Sequence, residues 1–257
     1  MLLFIALKNE FTKCAKSPFS FLLIFSLAVP SFIVFAFIYI MPYDEFLQRI
    51  QSAGNDPNPY NYIYKWFQIL FKFLLVPYYS IFLVWFFEIE RKAKGWKFLN
   101  TLPLRFSDLI YSKLILVISY LFLSILISAF SLFLVSLVLG NLKTDWPFSH
   151  YQMFDLKTLS IVFGGVFLLS IPLIIVLFMI VLLVDSPGLI IIGAISIGSI
   201  IIPYNPFQYY SYGVKSYWSL QLGTGVDLTI YLQSIIISLV LLLGLKFYNN
   251  KIYQALN

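Results

Sequence analysis

Side chains capable of chemistry are concentrated in residues 86–113, FFEIERKAKGWKFLNTLPLRFSDLIYSK. Two of its three carboxylates, Glu88 and Glu90, lie close together and are of a type that acts as a general base or binds a metal ion. Metal-dependent hydrolysis needs several histidines or carboxylates in one cluster, and His150, the only histidine, falls in a predicted outer loop. The same position disfavours a Ser-His-Asp triad inside a membrane. The sequence therefore predicts that the chain is not an enzyme.

Motifs for nucleotides and metals are also missing from the sequence. No G-x-x-x-x-G-K-[ST] occurs, so the chain carries no P-loop, and any ATP and magnesium would be held by another polypeptide. Cys14 is the single cysteine, which excludes an intramolecular disulfide and a cysteine-rich metal site. We therefore expect no cofactor in this chain.

The overall composition is that of an integral membrane protein. Of the 257 residues, 61% are hydrophobic and 11% are charged, whereas soluble domains average about a quarter charged residues. The net charge of +6 does not indicate nucleic-acid binding, because the basic residues gather in short segments between apolar runs, a pattern that sets membrane topology. We expect an all-α membrane protein with a single domain over residues 1–257.

Six apolar runs are predicted to span a bilayer, whose core of about 30 Å takes about 20 residues of helix. The predicted spans are residues 20–40, 66–87, 109–139, 159–184, 188–202 and 228–247. An even number of spans places both termini on one side, which then holds eleven of the 17 lysines and arginines, Lys113 among them. This excess of positive charge predicts that both termini are cytoplasmic.

The N-terminal residues 1–18 are predicted to form an amphipathic helix in the inner interface of the membrane. Its lysines can reach anionic headgroups, and Pro18 ends it before the first span. Four side chains are predicted to share its apolar face at three-to-four spacing: Leu3, Leu7, Phe11 and Cys14.

Residues 88–105, between spans two and three, are predicted to form a short cytoplasmic helix that displays mixed charge. Trp96 suits an interface, where its ring is buried and its N–H stays wet, and Pro103 ends the helix. Two interpretations remain open from charge alone. The segment is either a solvated loop whose lysines fix the orientation, or a docking element for a cytosolic partner.

The order of residue types in this region resembles that of ABC-2-type transporter permeases. The resemblance is carried by Glu88, Glu90, Arg91, Trp96, Leu99, Leu102, Pro103, Ser112 and Lys113. It implies that residues 88–105 are the coupling helix, which lies in a cleft of a separate ATP-hydrolysing subunit. The residues expected to dock the ATPase are Glu88, Glu90, Arg91, Lys92, Lys94, Trp96, Phe98 and Pro103.

The resemblance also covers both ends of the chain. It implies that residues 1–18 are the elbow helix of the family and that residues 203–227 are an extracytoplasmic re-entrant segment before the sixth span. The implied partners are the ATPase subunit, a second permease (an identical copy or a paralogue) and the lipid bilayer. The implied location is the bacterial cytoplasmic membrane.

Polar residues within the spans have alternative interpretations. Gln68 and Lys72 share one helix face, and Lys72 either extends to the headgroups or lines a cavity or the dimer seam. Pro30, Pro77 and Pro172 are predicted to kink their spans. Three serines on one side of span three are predicted to serve helix packing: Ser124, Ser128 and Ser131.

These features predict the membrane subunit of an exporter whose cargo is hydrophobic or amphipathic: a peptide toxin, an antimicrobial peptide or a drug. A secondary carrier is an alternative, but it would need an essential acidic residue within the spans, and the predicted spans offer none. A non-transporting scaffold or immunity protein is a second alternative, because it too would carry a docking loop.

Overall fold

A computed structural model of the protein describes residues 2–15, 17–52, 58–92, 106–143, 146–151, 153, 156–184, 186 and 228–256. The described residues form eight α-helices and one short 3-10 helix, Pro147–His150. The α-helices are α1 (Leu2–Ala15), α2 (Pro18–Ser26), α3 (Val29–Ile40), α4 (Tyr43–Ser52), α5 (Pro59–Lys92), α6 (Phe106–Leu142), α7 (Leu156–Leu183) and α8 (Leu228–Leu256).

Helix α6 is the centre of the bundle, because it contacts α1, α2, α3, α5, α7 and α8. An all-helical arrangement is the one expected in lipid, where each backbone N–H and C=O must be paired within the protein. In the described part of the chain, Ser107–Leu142 and Val162–Leu182 are long and apolar enough to cross a membrane. The bent pair α2 and α3 makes a third span if it is counted as one.

Five of the six predicted spans coincide with described helices: α2 with α3, α5, α6, α7 and α8. The predicted fifth span, 188–202, and the predicted re-entrant segment, 203–227, lie outside the described residues. The all-helical fold is thus confirmed for the described residues, and the count of six spans stays a prediction.

The predicted kink at Pro30 is confirmed by a 50° bend between α2 and α3. Proline has no N–H, and its ring excludes the carbonyl four residues earlier, so the helix cannot continue through it. Beyond the bend, the Ser31 N–H bonds the carbonyl of Ala28, and the carbonyl of Leu27 instead accepts a hydrogen bond from Ser128 Oγ of α6, 2.8 Å away. Pro77 and Pro172 lie inside the uninterrupted helices α5 and α7.

The three serines of α6 lie in helix contacts, as predicted. Ser124 Oγ is 2.5 Å from the hydroxyl of Tyr78 on α5, and Ser131 Oγ is 2.8 Å from Ser31 Oγ on α3. Both serines of α6 are buried, so these bonds pair polar groups that water cannot reach. Together with the bond from Ser128 to the Leu27 carbonyl, these bonds connect the middle of α6 to α5 and to the bent pair α2–α3.

The end of the bundle that carries α4 is closed by aromatic rings. Phe46 of α4 is fully buried, and its ring centroid lies 4.4 Å from that of Trp146 and 5.7 Å from that of Tyr62. Tyrosine and tryptophan at the edge of a membrane protein often form an exposed interfacial belt, but Tyr62 and Trp146 are buried in this cluster. Close approach here also depends on Gly140, where a Cβ atom would lie 2.7 Å from the Tyr60 hydroxyl.

Helix α4 carries an exposed ion pair on its outer face. Arg49 Nη2 lies 2.6 Å from Glu45 Oε1, and the two side chains are 40% and 45% exposed. The hydrogen bond with Glu45 raises the pKa of the Arg49 guanidinium above its ordinary value, and a second bond with Tyr62 adds to this. The four-residue separation places both side chains on one helix face.

Candidate functional site at the base of the coupling segment

Helix α1 packs against α6 through a face that the sequence did not indicate. Ala6, Glu10 and Cys14 are buried at successive four-residue steps, whereas Phe11 of the predicted apolar face is 46% exposed. The predicted apolar face was expected to lie in the membrane interface, which stays a prediction; of its residues, Cys14 belongs to the buried face. Small side chains at positions 6 and 14 let the helix backbones approach closely, and Glu10 lies between them.

Glu10 is paired with a lysine from the beginning of α6. Lys113 Nζ lies 3.0 Å from Glu10 Oε2, and the side chains are 0% and 3% exposed. The charge count placed Lys113 on the cytoplasmic side, which stays a prediction, and the structure adds that this side chain is fully buried. A buried charge is stable only when it is paired, and removal of one partner is strongly destabilising.

The same ammonium group contacts the end of α5. Lys113 Nζ is 5.0 Å from the ring centroid of Phe86 and 6.0 Å from that of Phe87, and aromatic faces attract cations at such distances. The Phe87 ring in turn lies 5.3 Å from that of Phe178 on α7. One lysine thus joins α1, α5 and α6, and a ring contact extends the junction to α7.

This junction, which we call the basal clamp (Glu10, Phe86, Phe87 and Lys113), lies at the base of the predicted coupling segment. Helix α5 continues five residues beyond Phe87 to Lys92, and α6 begins at Phe106. The two helices therefore form the arms of a hairpin whose connection, 93–105, lies outside the described residues.

The predicted docking residues are divided by this boundary. Glu88, Glu90, Arg91 and Lys92 belong to the last turns of α5, and the side chain of Glu88 is half-buried. Lys94, Trp96, Phe98 and Pro103 lie outside the described residues. Their role in docking an ATPase stays a prediction.

The second predicted set, Gln68 and Lys72, lies on α5 in the half that is nearer to α4. The structure describes the backbone at these positions but not the surroundings of the two side chains. Whether Lys72 extends to the headgroups or lines a cavity stays open.

The chemistry of the basal clamp is that of a mechanical connection. The pair joins one cation and one anion, and the described residues contain no group of three or more metal-ligating side chains. Buried ion pairs hold partners in one register, since an offset leaves both charges unpaired in an apolar surrounding. The pair therefore fixes the register of α1 against the beginning of α6.

The sequence contained only a partial signal for this site. A lysine seven residues into an apolar helix is expensive in a membrane protein, and such a residue points to a buried partner. Glu10 is 103 positions away in the chain, and its neighbours Lys8 and Lys13 suggest an ordinary surface charge. Only the packing of α1 on α6 identifies the partner.

Comparison with known proteins gives one finding. The sequence profile of the family described as ABC-2 family transporter protein matches residues 6–197, which is more than half of the chain. The matched range includes the basal clamp and the whole of residues 88–105. Neither the curated proteins nor the solved structures contain a match to this chain.

Proposed function

Because the chain belongs to the ABC-2 family of transporter proteins, we propose that it is the transmembrane permease subunit of an ATP-driven exporter. The family and the apolar helices indicate a multi-pass membrane protein. The ATPase of the exporter is a separate polypeptide in this proposal, because the chain has no P-loop.

The family match over residues 6–197 is the observation that carries the proposal. The geometry of the basal clamp supports it. A coupling element has to pass a displacement from the ATPase to the membrane helices, and the two arms of the hairpin converge on Lys113.

The proposed mechanism has three steps. The ATPase binds residues 88–105, with Arg91, Lys92 and Lys94 setting the charge of the contact. ATP-driven closure of the ATPase displaces this segment, and the basal clamp passes the displacement to α1 as well as to α5 and α6. The displacement opens a path between two permeases, identical or paralogous, toward the outer side of the bacterial cytoplasmic membrane.

The cargo that we propose is hydrophobic or amphipathic: a peptide toxin, an antimicrobial peptide or a drug. Support comes from exposed large apolar side chains on α3, α6 and α8, such as Ile33, Leu126 and Ile236. Entry of cargo from the membrane or its inner leaflet suits such a surface. Both chain termini are cytoplasmic in this arrangement.

The test is affinity purification of the full chain from its native membrane, with identification of the proteins that co-purify. We expect a P-loop ATPase in stoichiometric amount. Purification of the chain alone, or with a partner that lacks a P-loop, would contradict the exporter and favour a scaffold.

The docking role of the coupling segment has a matched control. Arg91→Glu with Lys92→Glu reverses two charges at the predicted ATPase side, and Arg49→Glu with Lys65→Glu reverses the same two residue types at the other end. We expect the first double variant to lose the ATPase and the second to retain it. Equal retention by both would show that the basic residues of the segment do not dock the partner.

A further inference from the structure

An apolar groove lies between the bent helix pair α2–α3 and α6. Its volume is about 450 Å³, within the range of about 300–1,000 Å³ that is usual for ligand sites. Phe25 lines it before the bend, and Ala28 and Phe32 line it at and after the bend. The 50° bend is the physical origin of the groove, because the two arms cannot both lie flush against one straight helix.

The groove matches one leaflet of a bilayer in length. On α6 it extends from Ile127 to Val138, and eleven residues of helix rise about 16 Å. Half of a bilayer core of about 30 Å is nearly the same length. A single acyl chain of one leaflet therefore fits the groove from end to end.

The lining excludes water and polar ligands. The lining atoms are almost entirely apolar, and the one serine among them, Ser131, has a hydroxyl that bonds Ser31 Oγ and the carbonyl of Ser128. A polar ligand would find no free partner there, and an unfilled apolar groove would lose dispersion contacts along its length. A hydrocarbon chain suits the groove, because it needs no hydrogen-bond partner and it restores the dispersion contacts.

A lysine lies at the α4 end of this groove. Phe35 of the lining stacks on Tyr39 at 5.6 Å between ring centroids, and Lys143 Nζ lies 5.2 Å from the centroid of Tyr39. The same ammonium lies 4.7 Å from the ring of Trp146, so two rings hold it in place. Lys143 follows Val138 by five residues, or about 7 Å of helix rise, which places the charge at the level of the headgroups.

We propose that this groove binds one acyl chain of an anionic phospholipid, with the lipid phosphate at Lys143. The acyl chain fills the space left by the bend, and the phosphate pairs with an ammonium group that two aromatic rings already position. The site does not depend on the ATPase or on the cargo, so it stands apart from the proposed transport function.

The experiment uses the full chain in phosphatidylcholine vesicles that contain a phosphatidylglycerol probe with a photoactivatable group in its acyl chain. Cross-linked peptides are then mapped. We expect cross-links to concentrate on the groove residues of α3 and α6. Leu134→Trp, which fills the groove, should lower them at least five-fold.

The control for the groove is Leu137→Trp, on the same helix and with nearly the same exposure, 40% against 42% for Leu134. We expect it to change the cross-links less than two-fold. Equal effects of the two tryptophans would show ordinary contact with bulk lipid and overturn the site. Because both positions are exposed, the gel-filtration profiles of the two variants should match that of the wild type.

The contact between Lys143 and the lipid headgroup is tested by a separate variant. Lys143→Gln should lower cross-linking of the phosphatidylglycerol probe about five-fold, the effect of one lysine near a membrane surface, and leave a phosphatidylcholine probe nearly unchanged. Equal behaviour of the two probes would overturn the proposal of an anionic lipid, because both probes carry a phosphate and only phosphatidylglycerol carries a net negative charge. A disulfide between two copies that carry Phe130→Cys and Cys14→Ser, with no lipid cross-links in the groove, would assign the groove to a second protomer and overturn the proposal.

Discussion

The two ends of the bundle each contain an ion pair of similar geometry, and the surroundings of the two pairs are opposite. Lys113 and Glu10 are 3.0 Å apart and almost fully buried between α1, α5 and α6. Arg49 and Glu45 are 2.6 Å apart, lie on the single helix α4 and are nearly half exposed. The Arg49–Glu45 pair contributes less to stability although its distance is shorter, because water competes for both of its side chains.

The two ends of the bundle are therefore stabilised in different ways. At the α1 end, one pair joins three helices, so its loss affects all of them at once. At the α4 end, Phe46 and its neighbouring rings share the stabilisation over many small contacts. The proposed transmission of a displacement requires a contact such as the Lys113–Glu10 pair, which joins several helices at one point. The aromatic end only has to stay closed, and many small ring contacts are sufficient for that.

The largest effect is expected for Lys113→Met. It removes the ammonium group that pairs with the buried carboxylate of Glu10, which costs about 3–5 kcal/mol. We expect a clear loss of thermal stability in detergent and a loss of transport coupling, measured as partner ATPase activity stimulated by the permease.

A second variant sharpens this result. Glu10→Leu combined with Lys113→Met removes both charges, and replacement of a whole buried pair by well-packed apolar residues of similar volume is often neutral for stability. We expect stability to return to within about 1 kcal/mol of the wild type. If the double variant is as unstable as the single one, the pair is not what joins α1 to α6.

A smaller effect is expected at the opposite end for Phe46→Leu. The change leaves part of a fully buried aromatic site unfilled and costs roughly 1–2 kcal/mol by lost contacts and a small cavity. Thermal unfolding would show the loss, while ATPase stimulation should stay at the wild-type level. A coupling defect as large as that of Lys113→Met would remove the distinction between the two ends.

Between the two ends, Ser128→Ala should cost about 0.6–1.7 kcal/mol, the range found for hydrogen bonds between membrane helices. It removes the donor that pairs the Leu27 carbonyl at the bend. Ser119→Ala is the matched control, since Ser119 bonds only the carbonyl of Ile115 in its own helix among the contacts that the structure gives. Equal thermal shifts for the two alanines would show that the interhelical bond does not stabilise the bend.

The smallest effect is expected for Arg49→Gln. Both side chains of this pair are exposed, and the pairing adds little to stability in water. The unfolding temperature should stay within measurement error at low and at high salt. A shift comparable to that of Lys113→Met would show that exposure does not separate the two pairs.

Much of the fold was predictable because it depends on local composition. Apolar runs predicted helices at five places where the structure describes them, and Pro30 predicted the bend. Helix α4 was not predicted, although Asp44 and Glu45 at its start and the four-residue spacing of Phe46 and Ile50 are helix signals. That segment is short and polar, and its position between two spans suggested an ordinary loop.

The site was predictable only in part. The segment 88–105 follows from its charge and its position between spans, and its docking residues stay a prediction. The basal clamp was not predicted, because Lys113 entered the prediction only as one of the charges that set the orientation and as part of the family resemblance. Charge counting predicts which side of a membrane a segment lies on, and it does not report whether a side chain is buried.

The sequence by itself determined that the described part of the chain is helical, where its long apolar helices lie, that the first of these bends near Pro30, and that no P-loop is present. These properties depend on residues within a few positions of one another. The tertiary structure decided that α1 packs through Ala6, Glu10 and Cys14, and that Lys113 meets a carboxylate 103 residues away. Such pairings depend on which helix faces meet, and helical periodicity alone leaves that choice open.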